Sequence, residues 1–268
     1  MSSPEGDETA KLNADVPHSA RLWNYWLGGK DNFAADRAVA DQILAMVPEM
    51  VASARADRAF LGRVVRYLAG EVGIRQFLDV GTGIPTANNT HEVAQRIAPS
   101  SRIVYVDNDP LVLVHARALL TSHPEGRTDY LEADLREPDK IVAEARRTLD
   151  FDQPIAVTML GILNFVPDDD EAIRLVGKLV EAVPPGSYLA ISHPTTEING
   201  ETMQAALRLW NDGPAAKMVL RSAEQVKRLF GNLEMVEPGV VTCSRWHPDA
   251  GAEDAEPVPH YGGVGRKS

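Results

Sequence analysis

Three short acids, Asp79, Asp107 and Asp134, stand at or near the ends of strand-like runs, and the first is followed by Gly81-Thr82-Gly83. Glycines at such a turn let the backbone approach a ligand with no side chain between them. Asp79, two residues before the first glycine, would repel a pyrophosphate, but it can accept hydrogen bonds from an ammonium or amide group. A dinucleotide fingerprint also needs a third glycine, and Ile84-Pro85-Thr86 stands in that place. Asp107 follows Ile103-Val104-Tyr105-Val106 and is placed for two ribose hydroxyls. Asp134 follows Tyr130-Leu131-Glu132-Ala133 and can accept from an adenine amino group, or else cap the helix that Pro138 opens. A nucleoside with a cationic end satisfies all three acids.

The elements that position these acids alternate. Strands are expected over 76–80, 102–107, 129–132, 155–162 and 188–192, with helices over 86–97, 110–121 and 138–149 between the first four. The free N–H groups at the start of the helix expected from Thr86 would favour a negative group beside the glycines. Strands alternating with helices imply right-handed crossovers and a parallel sheet whose ligands sit at the carboxyl ends of the strands. The predicted fold is therefore α/β, a doubly wound, Rossmann-like, mostly parallel sheet. Asp168–Asp170 reads as an N-cap cluster, Thr202–Leu220 as two helical pieces split by Gly213-Pro214, and Ser222–Phe230 as a capped helix. Glu234–Glu237 and Val240–Trp246 read as an antiparallel hairpin turned by Pro238-Gly239.

Residues 1–15 are polar and expected to be disordered. A helical extension is expected over 16–72, where Leu22, Trp23, Trp26 and Leu27 recur at helical spacing before Gly28-Gly29, and where the faces of Val39 and Ile43 and of Phe60 and Val64 follow. The main domain is set at 73–248. Residues 249–268 are expected to form a tail: a flexible acidic link, then Tyr261-Gly-Gly-Val-Gly-Arg-Lys, whose one structural reading is a return to the domain surface.

Leu-Asp-Val-Gly-Thr-Gly, Val-Tyr-Val-Asp-Asn-Asp-Pro and Glu-Ala-Asp-Leu-Arg resemble the first three motifs of class I S-adenosylmethionine-dependent methyltransferases. The stretch from Pro17 to Arg37, with its Trp-Asn-Tyr-Trp-Leu-Gly-Gly-Lys-Asp-Asn-Phe core, is similar to a largely uncharacterised actinobacterial group of these enzymes. The resemblance implies S-adenosylmethionine as cofactor. Asp79, Gly81 and Gly83 would hold its methionine moiety, Asp107 its ribose, and Asp134 with Leu135 its adenine edge, with Thr82, Asn108 and Leu160 beside them. Tyr25, Gly28 and Asn32 would belong to a lid over the methionine end. No acceptor is implied. The end of the fourth strand lacks the Asn or Asp followed by Pro-Pro-aromatic found in enzymes that methylate amino groups of bases or glutamine.

Composition bounds the partners. The 268 residues carry a formal net charge of −11, which disfavours nucleic acid and leaves a small-molecule acceptor. One cysteine, Cys243, excludes an intramolecular disulfide and a cysteine-built metal site, and the seven histidines show no metal-ligand spacing. No run approaches the roughly 20 apolar residues of a membrane span, so a cytoplasmic protein is expected. Catalytic candidates at strand ends are His193, as a base or a satisfied structural histidine, and Asn164, as an orienter. Two other readings stay open: a nicotinamide-dependent oxidoreductase on a related sheet, and a protein that binds S-adenosylmethionine without chemistry.

Overall fold

In the computed structural model, residues 14–119 and 121–268 are described. The segment expected to be disordered lies outside them except for its last two residues. Five parallel strands form most of the sheet: β1 (Gln76–Val80), β2 (Arg102–Asp107), β3 (Arg127–Glu132), β4 (Ala156–Leu160) and β5 (Tyr188–Pro194). Their order in space is β3-β2-β1-β4-β5. β1 is buried along its whole length, as a central strand covered on both faces must be. The helices between them are α4 (Thr90–Ile97), α5 (Pro110–Leu119), α6 (Pro138–Ala145) and α7 (Asp169–Ala182). Asp168 caps α7 by accepting from Glu171 N at 2.7 Å, as the cluster of acids predicts.

The carboxyl-terminal part of the sheet is antiparallel, but its connectivity differs from the expected hairpin. β6 (Glu234–Met235) and β7 (Val241–Thr242) do not pair with each other. Both pair with β8 (His260–Arg266), which lies between them and β5. The segment expected to be a tail thus supplies an interior strand. Its glycines hid it from a reading by β-propensity, and close packing explains them. A Cβ on Gly262 would lie 2.8 Å from Phe60 Cζ, and one on Gly265 2.9 Å from Leu233 Cβ. The link before it is anchored in part, since Thr242 Oγ1 donates to Val258 O at 2.9 Å.

Three helices precede the sheet: α1 (Ser19–Trp26), α2 (Ala34–Met46) and α3 (Met50–Arg66). They do not form a separate unit. α3 buries Phe60, Val64 and Val65 against Phe77, Ile103 and Tyr105 of the sheet, so the boundary expected at residue 72 crosses a single core. α1 and α2 pack with α8 (Gly200–Asp212) through Leu22, Trp26, Ile43, Met203 and Trp210. α8 is one helix, and the second piece expected after Gly213-Pro214 is not helical. α9 (Ala223–Arg228) starts at Ser222, whose Oγ accepts from Gln225 N, as predicted.

Candidate active site

A cavity of ≈330 Å³ opens at the carboxyl ends of β1, β2 and β4, with α1 over it and α8 beside it. The sequence reading places nine cofactor residues there, and the structure brings all nine together. Asp79, Gly81, Thr82, Gly83, Asp107, Asn108, Asp134, Leu135 and Leu160 all line the cavity.

β1 delivers the first of them. Asp79 is buried, and its two oxygens accept from Thr90 Oγ1 at 2.6 Å and Thr158 Oγ1 at 2.8 Å. Burial raises its pKa, while those hydroxyls and the charge of Arg58 act against the rise. Gly81 and Gly83 have φ of +77° and +66°, the region that side chains avoid, and a Cβ on Gly81 would lie 2.6 Å from Ile162 Cγ1. The helix after them starts at Thr90, not at Thr86. Asn88 takes a positive φ and Asn89 closes a capping box with Glu92, so the first turn is set back from the glycines.

At the end of β2, Asp107 accepts from Gly83 N at 2.8 Å and from Asp109 N at 2.9 Å. Burial raises its pKa, and these two N–H groups oppose the rise. Asp134 does not cap the helix opened by Pro138. Its oxygens accept from Asn108 Nδ2 at 3.0 Å and from Arg136 N at 2.8 Å, which holds Asn108 and Asp134 side by side at the cavity edge.

α1 does cover the cavity, but with other residues than expected. His18, Ser19, Ala20, Trp23 and Trp26 line it, whereas Tyr25, Gly28 and Asn32 do not. Tyr25 points away and donates to Asp41 Oδ1 at 2.9 Å. Asn32 Nδ2 donates to Asn24 Oδ1 and to Gly29 O, which folds the Gly28-Gly29 turn back on α1. Tyr25 packs at the edge of the cluster that holds Leu22 and Trp26, and its hydroxyl is taken by Asp41 of α2, which leaves the cavity to its neighbours. A buried ion network fixes α1. Asp109 Oδ2 lies 3.1 Å from His18 Nδ1 and 3.5 Å from Arg21 Nε, and Asp36 accepts from the backbone of His18 and Phe33.

Of the two catalytic candidates, Asn164 lines the cavity and His193 does not. His193 is fully buried. Nδ1 donates to Pro194 O at 2.8 Å, and Nε2 accepts from Arg221 Nη1 at 2.9 Å. Burial lowers its pKa to about 3, so it stays neutral, and with both nitrogens in use it has none to offer a substrate. It is a structural histidine. Asn164 is buried with Oδ1 unpartnered. The sequence reading missed Asp57 and His260, which also line the cavity, because His260 lay in a segment read as a tail. Among the described residues, no group of His, Cys, Asp and Glu could hold a metal. None of their helices is long and apolar enough to cross a membrane.

A doubly wound sheet with acids at the ends of its first three strands and a glycine turn after the first defines a class I S-adenosylmethionine-dependent methyltransferase. Residues 5–268 match the profile of the family described as S-adenosyl methyltransferase, and the chain belongs to that family. It is similar to a DUF574-family protein of Streptomyces avermitilis, with 44% identity over 96% of this chain and 100% of that one and a TM-score of 0.92. It is also similar to a candidate methyltransferase from Thermobifida fusca, with 41% identity over 96% and 97% of the two chains and a TM-score of 0.88. Human N-acetylserotonin methyltransferase in complex with S-adenosylmethionine shares the fold, with 13% identity over 98% of this chain and 66% of that one and a TM-score of 0.52. No functionally curated protein matches the chain significantly. S-adenosylmethionine is thus the cofactor, and the oxidoreductase reading falls. The site fits it on its own terms, since each oxygen of Asp107 accepts a single bond and keeps a lone pair for a hydroxyl.

Proposed function

We propose that this methyltransferase acts on a small, largely apolar acceptor bound beside its cofactor. The observation that carries the reading is the cavity itself. Its volume falls at the lower end of small-molecule pockets, and one end is acidic and polar while the other is walled by Trp26, Ile43, Met50, Phe165 and Trp210. A cavity of this size in a chain of net charge −11 does not favour a nucleic-acid acceptor.

The acidic end suits the cofactor. In this reading Asp107 takes the ribose hydroxyls, Asn108 and Asp134 the adenine edge against Leu135, and Asp79, Gly81, Thr82, Gly83 and Leu160 the methionine moiety. When bound, S-adenosylmethionine supplies a methyl group on a sulfonium, activated for in-line displacement. The protein's own task is to orient and to exclude water. A near-attack arrangement, with reacting atoms about 3 to 3.5 Å apart, removes much of the entropic barrier. α1, tied down by Asp109 and Asp36, closes the site, and the tryptophans make it dry.

Calorimetric titration with S-adenosylhomocysteine, the demethylated product, tests the reading. Saturable one-to-one binding is expected, and no binding in a folded sample refutes it. A screen of apolar small molecules for release of S-adenosylhomocysteine then addresses the acceptor.

A further inference from the structure

His260 opens β8 opposite Pro194, at the carboxyl end of β5. It lines the cavity together with Asp57 of α3, and the two residues are 3% and 6% exposed. His260 Nε2 lies 3.7 Å from Asp57 Oδ1 and has no other partner. The other neighbour of that carboxylate oxygen is the Cys243 thiol at 3.9 Å. Nδ1 of His260 carries no hydrogen bond among the described residues. This differs from His193, whose ring nitrogens are both engaged. His260 thus sets Nε2 beside a buried carboxylate, beyond hydrogen-bond distance, with Nδ1 left over; base and orienting acid often stand this far apart before substrate binds and tighten with it.

The walls around it narrow the acceptor. The Trp23 ring centroid lies 5.8 Å from that of His260 and 5.7 Å from that of Trp26, the latter edge to face, and Phe165 packs against Trp210 with centroids 6.2 Å apart. Aromatic walls favour a flat, aromatic guest. Asn164 lines the same cavity, with Oδ1 buried and unpartnered. Proton affinity narrows it further. A neutral amine attacks through a lone pair it already has, whereas a hydroxyl, and likewise an ammonium, must first lose a proton. A phenol, with a pKa near 10, lies several units closer to an imidazole than an aliphatic alcohol does, and so is the hydroxyl that a histidine can best deprotonate.

We propose that His260, oriented by Asp57, is the general base of the methyl transfer, and that the acceptor is a phenol held between these aromatic walls. The inference rests on the methyltransferase reading above. In the step, the phenol O–H bond breaks with its electron pair left on oxygen, the proton joins His260 Nδ1, and the oxygen becomes the nucleophile. Asp57 offsets the imidazolium charge. Burial lowers the His260 pKa and Asp57 opposes the fall, so the ring is neutral at neutral pH, and it is the carboxylate of Asp57 that favours its taking a proton. The charged or titratable groups that face it are Asp57 from α3 and His193 from β5.

The test uses the full-length protein saturated with S-adenosylhomocysteine and titrated with 4-nitrophenol, whose anion absorbs visible light and whose neutral form does not. The pH is set where the free phenol is mostly protonated. The bound probe is expected to show the anion band. In His260→Gln the anion fraction should fall about tenfold, the effect of losing roughly one pKa unit of stabilisation, while binding of S-adenosylhomocysteine is retained. Asp57→Asn should lower it less, because the base stays and only its charged partner goes. A neutral spectrum, no binding of the phenol to the wild type, or an anion band that survives in His260→Gln overturns the inference. The wild-type spectrum decides alone if a variant does not fold. If S-adenosylhomocysteine itself fails to bind, the methyltransferase reading falls and takes the base with it. If it binds and the probe stays neutral, only the base falls.

Discussion

The backbone N–H of Gly83 donates to Asp107 Oδ2 at 2.8 Å, so the turn after β1 is tied to the end of β2. Asp107 therefore has two duties in the proposed site, to shape the glycine turn and to receive the ribose. Asp107→Ala should weaken S-adenosylhomocysteine binding by about 1 to 3 kcal/mol, from the loss of charge-assisted hydrogen bonds. Calorimetry on the folded variant checks it, and an unchanged dissociation constant would remove Asp107 from the cofactor site.

Gly81 tests the shape of the turn. Gly81→Ala adds a Cβ that meets Ile162 Cγ1 at 2.6 Å, at a φ of +77°. The variant should lose about 1 to 3 kcal/mol of stability. Adding Ile162→Ala should return only part of that loss, because the backbone strain persists. Denaturant midpoints for the single and double variants separate the clash from the strain.

The network that fixes α1 gives a third expectation. Asp36 is fully buried and lies 3.8 Å from Arg21 Nη1, itself buried. Asp36→Ala leaves that guanidinium with one fewer acid and two backbone N–H groups without acceptors. A cost of about 3 to 5 kcal/mol follows for a broken buried pair. Thermal or chemical denaturation checks it, and a loss below about 1 kcal/mol, the size of an exposed pair, would show the network to be solvated.

His193 makes stability depend on pH. Its pKa is about 3 in the folded protein, against 6.5 for an unhindered histidine. Below pH 6.5 the unfolded chain binds a proton that the folded chain refuses. The contribution of His193 is thus complete above about pH 6.5 and is lost as pH falls toward 3, at up to about 1.4 kcal/mol per pH unit. His193→Gln should flatten this part of the profile. Urea midpoints measured from pH 7 to 4 for both proteins check it, and parallel profiles would refute it.

Four of the five parallel strands were legible as short β-branched or apolar runs, and the first three by the short acids at or just beyond their ends; β3, Arg127–Glu132, is mostly polar and was found by its place between two helices and by Asp134. The pattern marks the three acids and the glycine turn, and the family resemblance adds Thr82, Asn108, Leu135 and Leu160, all of which line the cavity. The lid was legible as an element but not residue by residue: the tryptophan spacing marks the helix, while its phase is set by contacts with α8, more than 170 residues away in the chain. His193 misled because a strand end at the ligand edge says nothing about Arg221, which comes from a distant loop to occupy its Nε2. β8 was illegible for the opposite reason. Glycine is a poor strand former on its own, and Gly262 and Gly265 are there for the sake of Phe60 and Leu233, residues no local window contains.

The place of β8 has a temporal consequence. It follows every other strand of the sheet in the chain, yet it sits inside, with β5 on one side and β6 and β7 on the other. During synthesis from the amino end, β6 and β7 emerge before the strand they pair with, and the carboxyl-side edge of β5 stays bare until β8 arrives. Such late, non-local pairing slows folding and leaves an open edge in the meantime. Since β8 also begins with His260, closing the sheet and arming the proposed base are a single event, so a nascent chain that binds cofactor early cannot yet deprotonate an acceptor.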